Sequence, residues 1–261
     1  MAEFGAIPAP ALAGMAGWEA VVAWEQEPGL VTWRLTAPGG EVRYLKLRRS
    51  SVEPGLEDER ARMEWAAGSL PVPRVLDHGS QDGTDWLLTA ALPGLDATRD
   101  PLQADPARLV PLLAAGLRRV HALPRERCPF DWTLARALPV ARHRVAAGLV
   151  RPADLHEDHG PLTAGEALAR LEALLPAGED LVVCHGDYCF PNVVLADGAV
   201  CGYVDLGGLG VADRWWDLAV ATWSVTWNVG PGWEDLFLQS YGVERDARRM
   251  ALYRLLHDLL P

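Results

Sequence analysis

The chain has 261 residues, 49% of them hydrophobic and 23% charged, enough for one large core or two smaller ones. No run approaches the roughly 20 consecutive apolar residues that a membrane span requires, so no membrane role is expected. A formal net charge of −11 repels nucleic-acid phosphate and attracts cations, which favours a positively charged small molecule over nucleic acid as a partner.

In chain order, MAEFGAIPAPALAGMAG has small apolar residues but no basic segment, and Glu3 stands where positive charge belongs in a signal peptide. Residues 30–36 and 41–47 are β-branched and aromatic runs split by Ala37-Pro38-Gly39-Gly40, a hairpin signal. Residues 56–67 are expected to be a helix, with Glu59, Met63 and Ala66 on one face. PVPRVLDHG and DWLLTAAL are expected as two further strands around a Gln81-Asp82-Gly83 turn, before Pro93-Gly94 punctuates the chain. Helical patterns then follow at 107–123, 134–148, 163–175, 213–228, 233–241 and 246–259, interrupted only by β-like material at 181–203. Cys128, Cys184, Cys189 and Cys201 do not make a disulfide framework, which fits a reducing, cytoplasmic setting.

The stretch VVCHGDYCFPNVVL, 182–195, places a carboxylate and a carboxamide in a loop between two runs that both resemble buried strands. Asp187 lies five positions before Asn192, and Asp205 lies eighteen after Asp187. Phosphoryl transfer needs such groups: a carboxylate to orient the attacking hydroxyl and accept its proton, and hard oxygen ligands to hold magnesium on the phosphates. Flanking strands keep the polar loop rigid, as an active site requires.

HGDYCFPN followed by YVDLGGLGVADRWWDLA resembles the paired motifs of the aminoglycoside phosphotransferases, relatives of the protein kinases, and most of all their 3′-phosphotransferase branch. The resemblance extends to RYLKL, EDERARMEWAAGSLPVP, CPFD and LYRLLHDLL, and covers nearly all of the chain after about residue 25. It implies an α+β, bilobal protein-kinase-like fold: a β-rich nucleotide-binding lobe at 1–92, a connector at 93–97, and a larger, mainly helical catalytic and substrate-binding lobe at 98–261. It further implies a nucleoside triphosphate, ATP with GTP as an open alternative, and Mg2+. Lys46 is then expected to pair with the α/β-phosphates and with Glu59, and adenine to bond the connector backbone near Ala90 and Leu92. Asp187 is the expected base or hydroxyl-positioning residue, Asn192 and Asp205 the expected magnesium ligands. Asp217 in WWDLA is expected to brace the His-Gly-Asp loop, with His185 a brace rather than a titrating group.

Taken singly, these residues have ordinary readings. His-Gly-Asp is common in turns, Lys46 could be a solvated edge-strand lysine beside Arg43, Arg48 and Arg49, and Glu59 a surface helix charge. A zinc site from Cys184, His185, Cys189 and Cys201 lacks any C-x-x-C pair, and HEDHG at 156–160 lacks the H-E-x-x-H spacing. Neither a G-x-x-x-x-G-K-[ST] phosphate loop nor a G-x-S-x-G nucleophile elbow occurs.

Departures from the family pattern concern both substrates. The nucleotide-covering loop, expected at EPGLV (27–31), has one glycine and no hydroxyl residue. Gly208 stands where the 3′ branch carries arginine. Trp216, Val220, Trp223 and Trp227 form a stripe that could fill the core or stack on a cationic or planar group. The chain ends HDLLP, where relatives end in an acidic pair and an aromatic; Asp258 matches the second acid. Asp154, Glu157 and Asp158 lie in the segment that relatives use to hold drug ammonium groups.

The expected activity is transfer of the γ-phosphate to a hydroxyl of a basic antibiotic, first an aminoglycoside, with Asp154, Glu157, Asp158, Trp223, Trp227 and Asp258 as substrate-side candidates. Alternatives are a cyclic-peptide antibiotic of the capreomycin and viomycin type, a metabolic kinase of the choline or homoserine kind, or a non-catalytic pseudokinase that sequesters its ligand.

Overall fold

The computed structural model describes residues 7–26, 29–50 and 55–260, so two residues of the expected nucleotide loop, Glu27 and Pro28, and the terminal Pro261 lie outside the described residues. The chain divides into two compact units. One comprises the residues up to Pro93 together with Gly202–Gly207, the other Gly94–Cys201 together with the residues from Gly208 onward.

The first unit is a five-stranded antiparallel sheet in the order β1-β2-β3-β5-β4, from β1 (Glu19–Gln26), β2 (Leu30–Thr36), β3 (Val42–Arg49), β4 (Val75–Gln81) and β5 (Thr84–Ala90), with helix α1 (Leu56–Ala66). Alternation along β3 sends Leu45 and Leu47 into a core with Val31, Leu35, Trp86 and Leu88. Lys46 therefore points to the opposite face, in register with Thr32 on β2 and Leu87 on β5. The β4–β5 turn has Asp82 and Gly83 at φ +50° and +76°, the two left-handed residues of a tight hairpin turn.

The second unit holds helices α2 (Asp100–Gln103), α3 (Pro106–His121), α4 (Leu134–Ala146), α5 (Ala164–Ala173), α6 (Trp215–Val229), α7 (Glu234–Tyr241) and α8 (Ala247–Leu259). Helix α3 packs on α7, and α6 on α8. Two small sheets accompany them: β7 (Leu181–Cys184) pairs antiparallel with β10 (Gly210–Asp213), and β6 (Leu95–Asp96), β8 (Val193–Ala196) and β9 (Ala199–Tyr203) lie in the order β6-β8-β9.

Several expectations are corrected. Within the helical part, the β-like material is not confined to 181–203, because β10 extends it. The helix expected from 213 begins at Trp215, since Asp213 ends β10 and its carboxylate accepts the Trp215 N–H at 2.9 Å. Of the residues expected as a connector, 93–97, Leu95 and Asp96 form β6, paired with Leu195 and Val194. Gly94 there has φ +122°, and a Cβ on it would stand 2.5 Å from the Leu195 carbonyl oxygen. Gly202–Gly207, expected in the C-terminal lobe, groups with the first unit.

Candidate active site

In the first unit, β3 and α1 bring Lys46 and Glu59 together: Nζ donates to both carboxylate oxygens, at 2.8 and 2.9 Å. The same Nζ donates to Asp205 Oδ1 at 3.0 Å. Burial penalises the ammonium, yet Asp205 and Glu59 outweigh it and raise the Lys46 pKa, so the amine is a fixed cation at neutral pH. Burial pushes the Glu59 carboxyl up while Lys46 pulls it down. Asp205 has φ +59°, a left-handed conformation that aspartate tolerates better than most residues. Its side chain is half exposed. The Ala90 N–H donates to the Arg74 carbonyl and the Ala91 N–H to the Val42 carbonyl, which fixes the backbone of that segment.

In the second unit, β7 and β8 belong to different sheets, and the loop between them carries Asp187. The Asn192 carboxamide donates to Asp187 Oδ2 at 2.8 Å and to the Asp187 carbonyl at 3.0 Å. That orientation turns Asn192 Oδ1 away from Asp187. The Asp187 N–H donates to His185 Nδ1 at 3.3 Å, which makes the imidazole an acceptor and a brace.

Beneath the loop, fully buried Asp217 accepts the N–H groups of His185 and Gly186 at 2.7 and 2.9 Å, and its Oδ2 lies 3.0 Å from His121 Nε2. Burial opposes its charge, but the His121 and His185 contacts prevail and hold the carboxyl below the usual range. Gly186 adopts φ +88°, and a Cβ on it would lie 2.3 Å from the Gly208 carbonyl oxygen. Gly208, read from sequence as a missing arginine, is thus where two loops meet backbone to backbone. Ser224 on α6 accepts the Phe190 N–H at 2.8 Å. His121 and Ser224 escaped the sequence reading because each acts across a long stretch of chain.

The substrate-side candidates separate into two kinds. Trp223, with Val220 and Trp216, is buried, whereas Trp227 is 53% exposed. Trp223 Nε1 donates to Asp158 Oδ2 at 2.6 Å. The Trp223 and Trp227 rings stack at 5.4 Å, and the His156 ring lies 4.7 Å from each. Asp258 accepts the His156 N–H at 2.7 Å and lies 3.1 Å from His159 Nε2, so its carboxylate holds the protein's own loop. Asp154 is paired with Arg151 at 2.8 Å. Glu157 is exposed. His156, His159 and Arg254, whose guanidinium lies over Trp223 at 4.9 Å, were not anticipated.

Among the described residues, the one group with soft-metal spacing is His121, Cys184 and Asp217. Both His121 nitrogens are already engaged, by Asp217 and Tyr241, and burial pushes the Cys184 thiol well up. It is a structural network. Asp205 in the first unit and Asn192 in the second each carry a hard oxygen atom of the kind that suits magnesium.

A family profile described as the phosphotransferase enzyme family matches residues 30–253. An aminoglycoside 3′-phosphotransferase of Streptomyces fradiae is 38% identical over 257 residues, spanning 92% of this chain and 94% of its own. Among solved structures, an aminoglycoside-3′-phosphotransferase of type VIII superposes with a TM-score of 0.86 at 36% identity, covering 96% of this chain and 97% of its own. Aminoglycoside phosphotransferase APH(3'')-Id of Streptomyces rimosus, solved with ADP and streptomycin, gives 0.77 at 35% identity, covering 95% of this chain and 94% of its own. The chain belongs to the aminoglycoside phosphotransferase family and carries its α+β, protein-kinase-like fold.

Proposed function

We propose that this enzyme moves the γ-phosphoryl group of ATP to a hydroxyl of an aminoglycoside antibiotic and thereby inactivates it. The observation that carries the reading is the Asp187 loop: a carboxylate oriented by Asn192, on a backbone held by His185 and by buried Asp217, in a chain 38% identical to an aminoglycoside 3′-phosphotransferase. Asp187 Oδ1 and Oδ2 orient the acceptor hydroxyl and take its proton as the phosphorus–oxygen bond forms. Lys46, held by Glu59, neutralises the α/β-phosphates. Asp205 and Asn192 supply oxygen atoms for Mg2+, which neutralises phosphate charge when bound. The Ala90 carbonyl and Leu92 N–H match the N6–H donor and N1 acceptor of adenine, whereas guanine presents the reverse pattern there, which favours ATP over GTP as the phosphoryl donor. Exposed Glu157, with Asp158, attracts the cationic acceptor.

A cyclic-peptide antibiotic of the capreomycin and viomycin type is the second acceptor, favoured by the open aromatic face of Trp227. The Lys46, Glu59, Asp187, Asn192 and Asp205 set argues against a pseudokinase. No helix among the described residues is long and apolar enough to cross a membrane, in keeping with a cytoplasmic enzyme. The test is a panel of basic antibiotics incubated with MgATP and weighed by mass spectrometry: a gain of one phosphate on an aminoglycoside supports the reading. A gain on none of the panel defeats it.

A further inference from the structure

We infer that Trp227 is a stacking platform for a planar, guanidinium-type cation of the acceptor, so that this enzyme favours guanidino-bearing antibiotics over ones whose charges are all ammonium. The inference rests on the acceptor class proposed above and specifies it further.

Helix α6 buries every residue from Trp215 to Val225, yet leaves the Trp227 ring 53% exposed in its last turn. The ring is also fixed in place. It stacks on Trp223 with an interplanar angle of 22°, and His156 packs against both rings. Trp223 in turn is held by Asp158. An ordered aromatic face loses little conformational freedom on binding a ligand.

The cluster shows which kind of ligand fits. Arg254 already lays its guanidinium over Trp223 at 4.9 Å, so the indole pair accepts that group at its buried end and presents a second face of the same kind to solvent. The Asp158 N–H donates to His156 Nδ1 at 3.2 Å, so that ring nitrogen is engaged within the protein's own loop. Asp158 brings a carboxylate to the cluster through Trp223, and exposed Glu157 lies between it and His156 in sequence. A guanidinium can stack flat on an indole while its in-plane N–H groups reach such carboxylates; an ammonium is compact and strongly hydrated and gains less.

The platform lies near the chemistry. Trp227 is three residues beyond Ser224, hence its neighbour on the helix surface. Ser224 accepts the N–H of Phe190, three residues beyond Asp187.

The test uses a matched pair of acceptors, an aminoglycoside and the same compound with its amines converted to guanidines. The ratio of kcat/KM for the guanidinylated compound over its parent is measured for wild type, Trp227→Leu and Trp227→Phe. The Leu variant is expected to lower that ratio about tenfold, with the Phe variant in between because it keeps a smaller ring face. Melting temperatures of all three proteins are recorded, and the Phe variant alone carries the comparison if the Leu variant is unstable. A ratio unchanged in the variants overturns the platform. Phosphorylation of neither compound by the wild-type enzyme overturns the acceptor class itself.

Discussion

Asp217 Oδ2 accepts the backbone N–H of His185 at 2.7 Å across 32 residues of sequence, and Oδ1 takes the next N–H, from Gly186. One buried carboxylate thereby sets the backbone from which Asp187 projects. Asp217→Ala leaves two buried donors unpaired and should cost about 3–5 kcal/mol of stability. The pH dependence follows from the depressed pKa of Asp217. Its stabilisation is fully present above the unfolded value of about 3.9 and is lost as pH falls through the lower folded value. The gap in melting temperature between wild type and variant should therefore be wide at pH 7 and shrink below about pH 4. A gap that stays constant to pH 3 refutes the assignment.

Asp187→Asn keeps the shape of the side chain and its hydrogen bonding but cannot accept the hydroxyl proton. Turnover should fall by roughly 10²–10⁴-fold, while calorimetric affinity for MgATP remains near that of wild type. Turnover within about threefold of wild type removes Asp187 from the mechanism.

The two proposed magnesium ligands should not be equivalent. Asp205→Ala removes a full charge, and also one of the two carboxylates that Lys46 contacts. Asn192→Ala removes a neutral oxygen and the hydrogen bond that orients Asp187. Magnesium-dependent nucleotide binding should therefore weaken more in Asp205→Ala, whereas Asn192→Ala should show the larger ratio of lost turnover to lost affinity. Unchanged magnesium-nucleotide affinity in Asp205→Ala would exclude it as a ligand.

Elements with strong periodicity were legible before the fold was known. The β2–β3 pair and α1 were readable because buried Leu45, Leu47, Met63 and Ala66 repeat at the strand and helix periods. Strand β1 was not: its residues through Glu25 are all exposed, so no alternation marks it. Strand β10 was hidden because its four residues run into the apolar start of α6. The motif residues around Asp187 were readable, but their supports were not. His121 reaches Asp217 across 96 residues and Asp258 reaches the His156 N–H across 102, and no local pattern reports such pairings. The tryptophan stripe was ambiguous for a related reason. Helical spacing shows that four side chains share a face, but not where that face leaves the core.

The structure divides that stripe between two roles. Trp223, with 2% of its surface exposed, is core. Its replacement by Ala should cost about 3–5 kcal/mol, read as a lower denaturation midpoint. Trp227→Ala should leave stability within about 1 kcal/mol and change the acceptor specificity constant instead. Equal destabilisation by both replacements would return Trp227 to the core.

The acidic loop divides in the same way. Glu157 is exposed, so Glu157→Gln should leave the melting temperature unchanged and raise the KM of a polycationic acceptor at low salt. That defect should shrink as ionic strength rises, because screening removes the wild-type advantage once the Debye length falls to about 3 Å near 1 M salt. Asp158 instead accepts the Trp223 indole N–H at 2.6 Å. Asp158→Asn weakens a charge-assisted hydrogen bond and should lower the melting temperature as well as the acceptor affinity. The salt series distinguishes the two contributions: attraction of the acceptor is screened, while the fixed bond to Trp223 is not. If Glu157→Gln and Asp158→Asn together leave KM unchanged at low salt, the loop acts only as a support for Trp223, and the acceptor's charges must be met by other groups of the second unit.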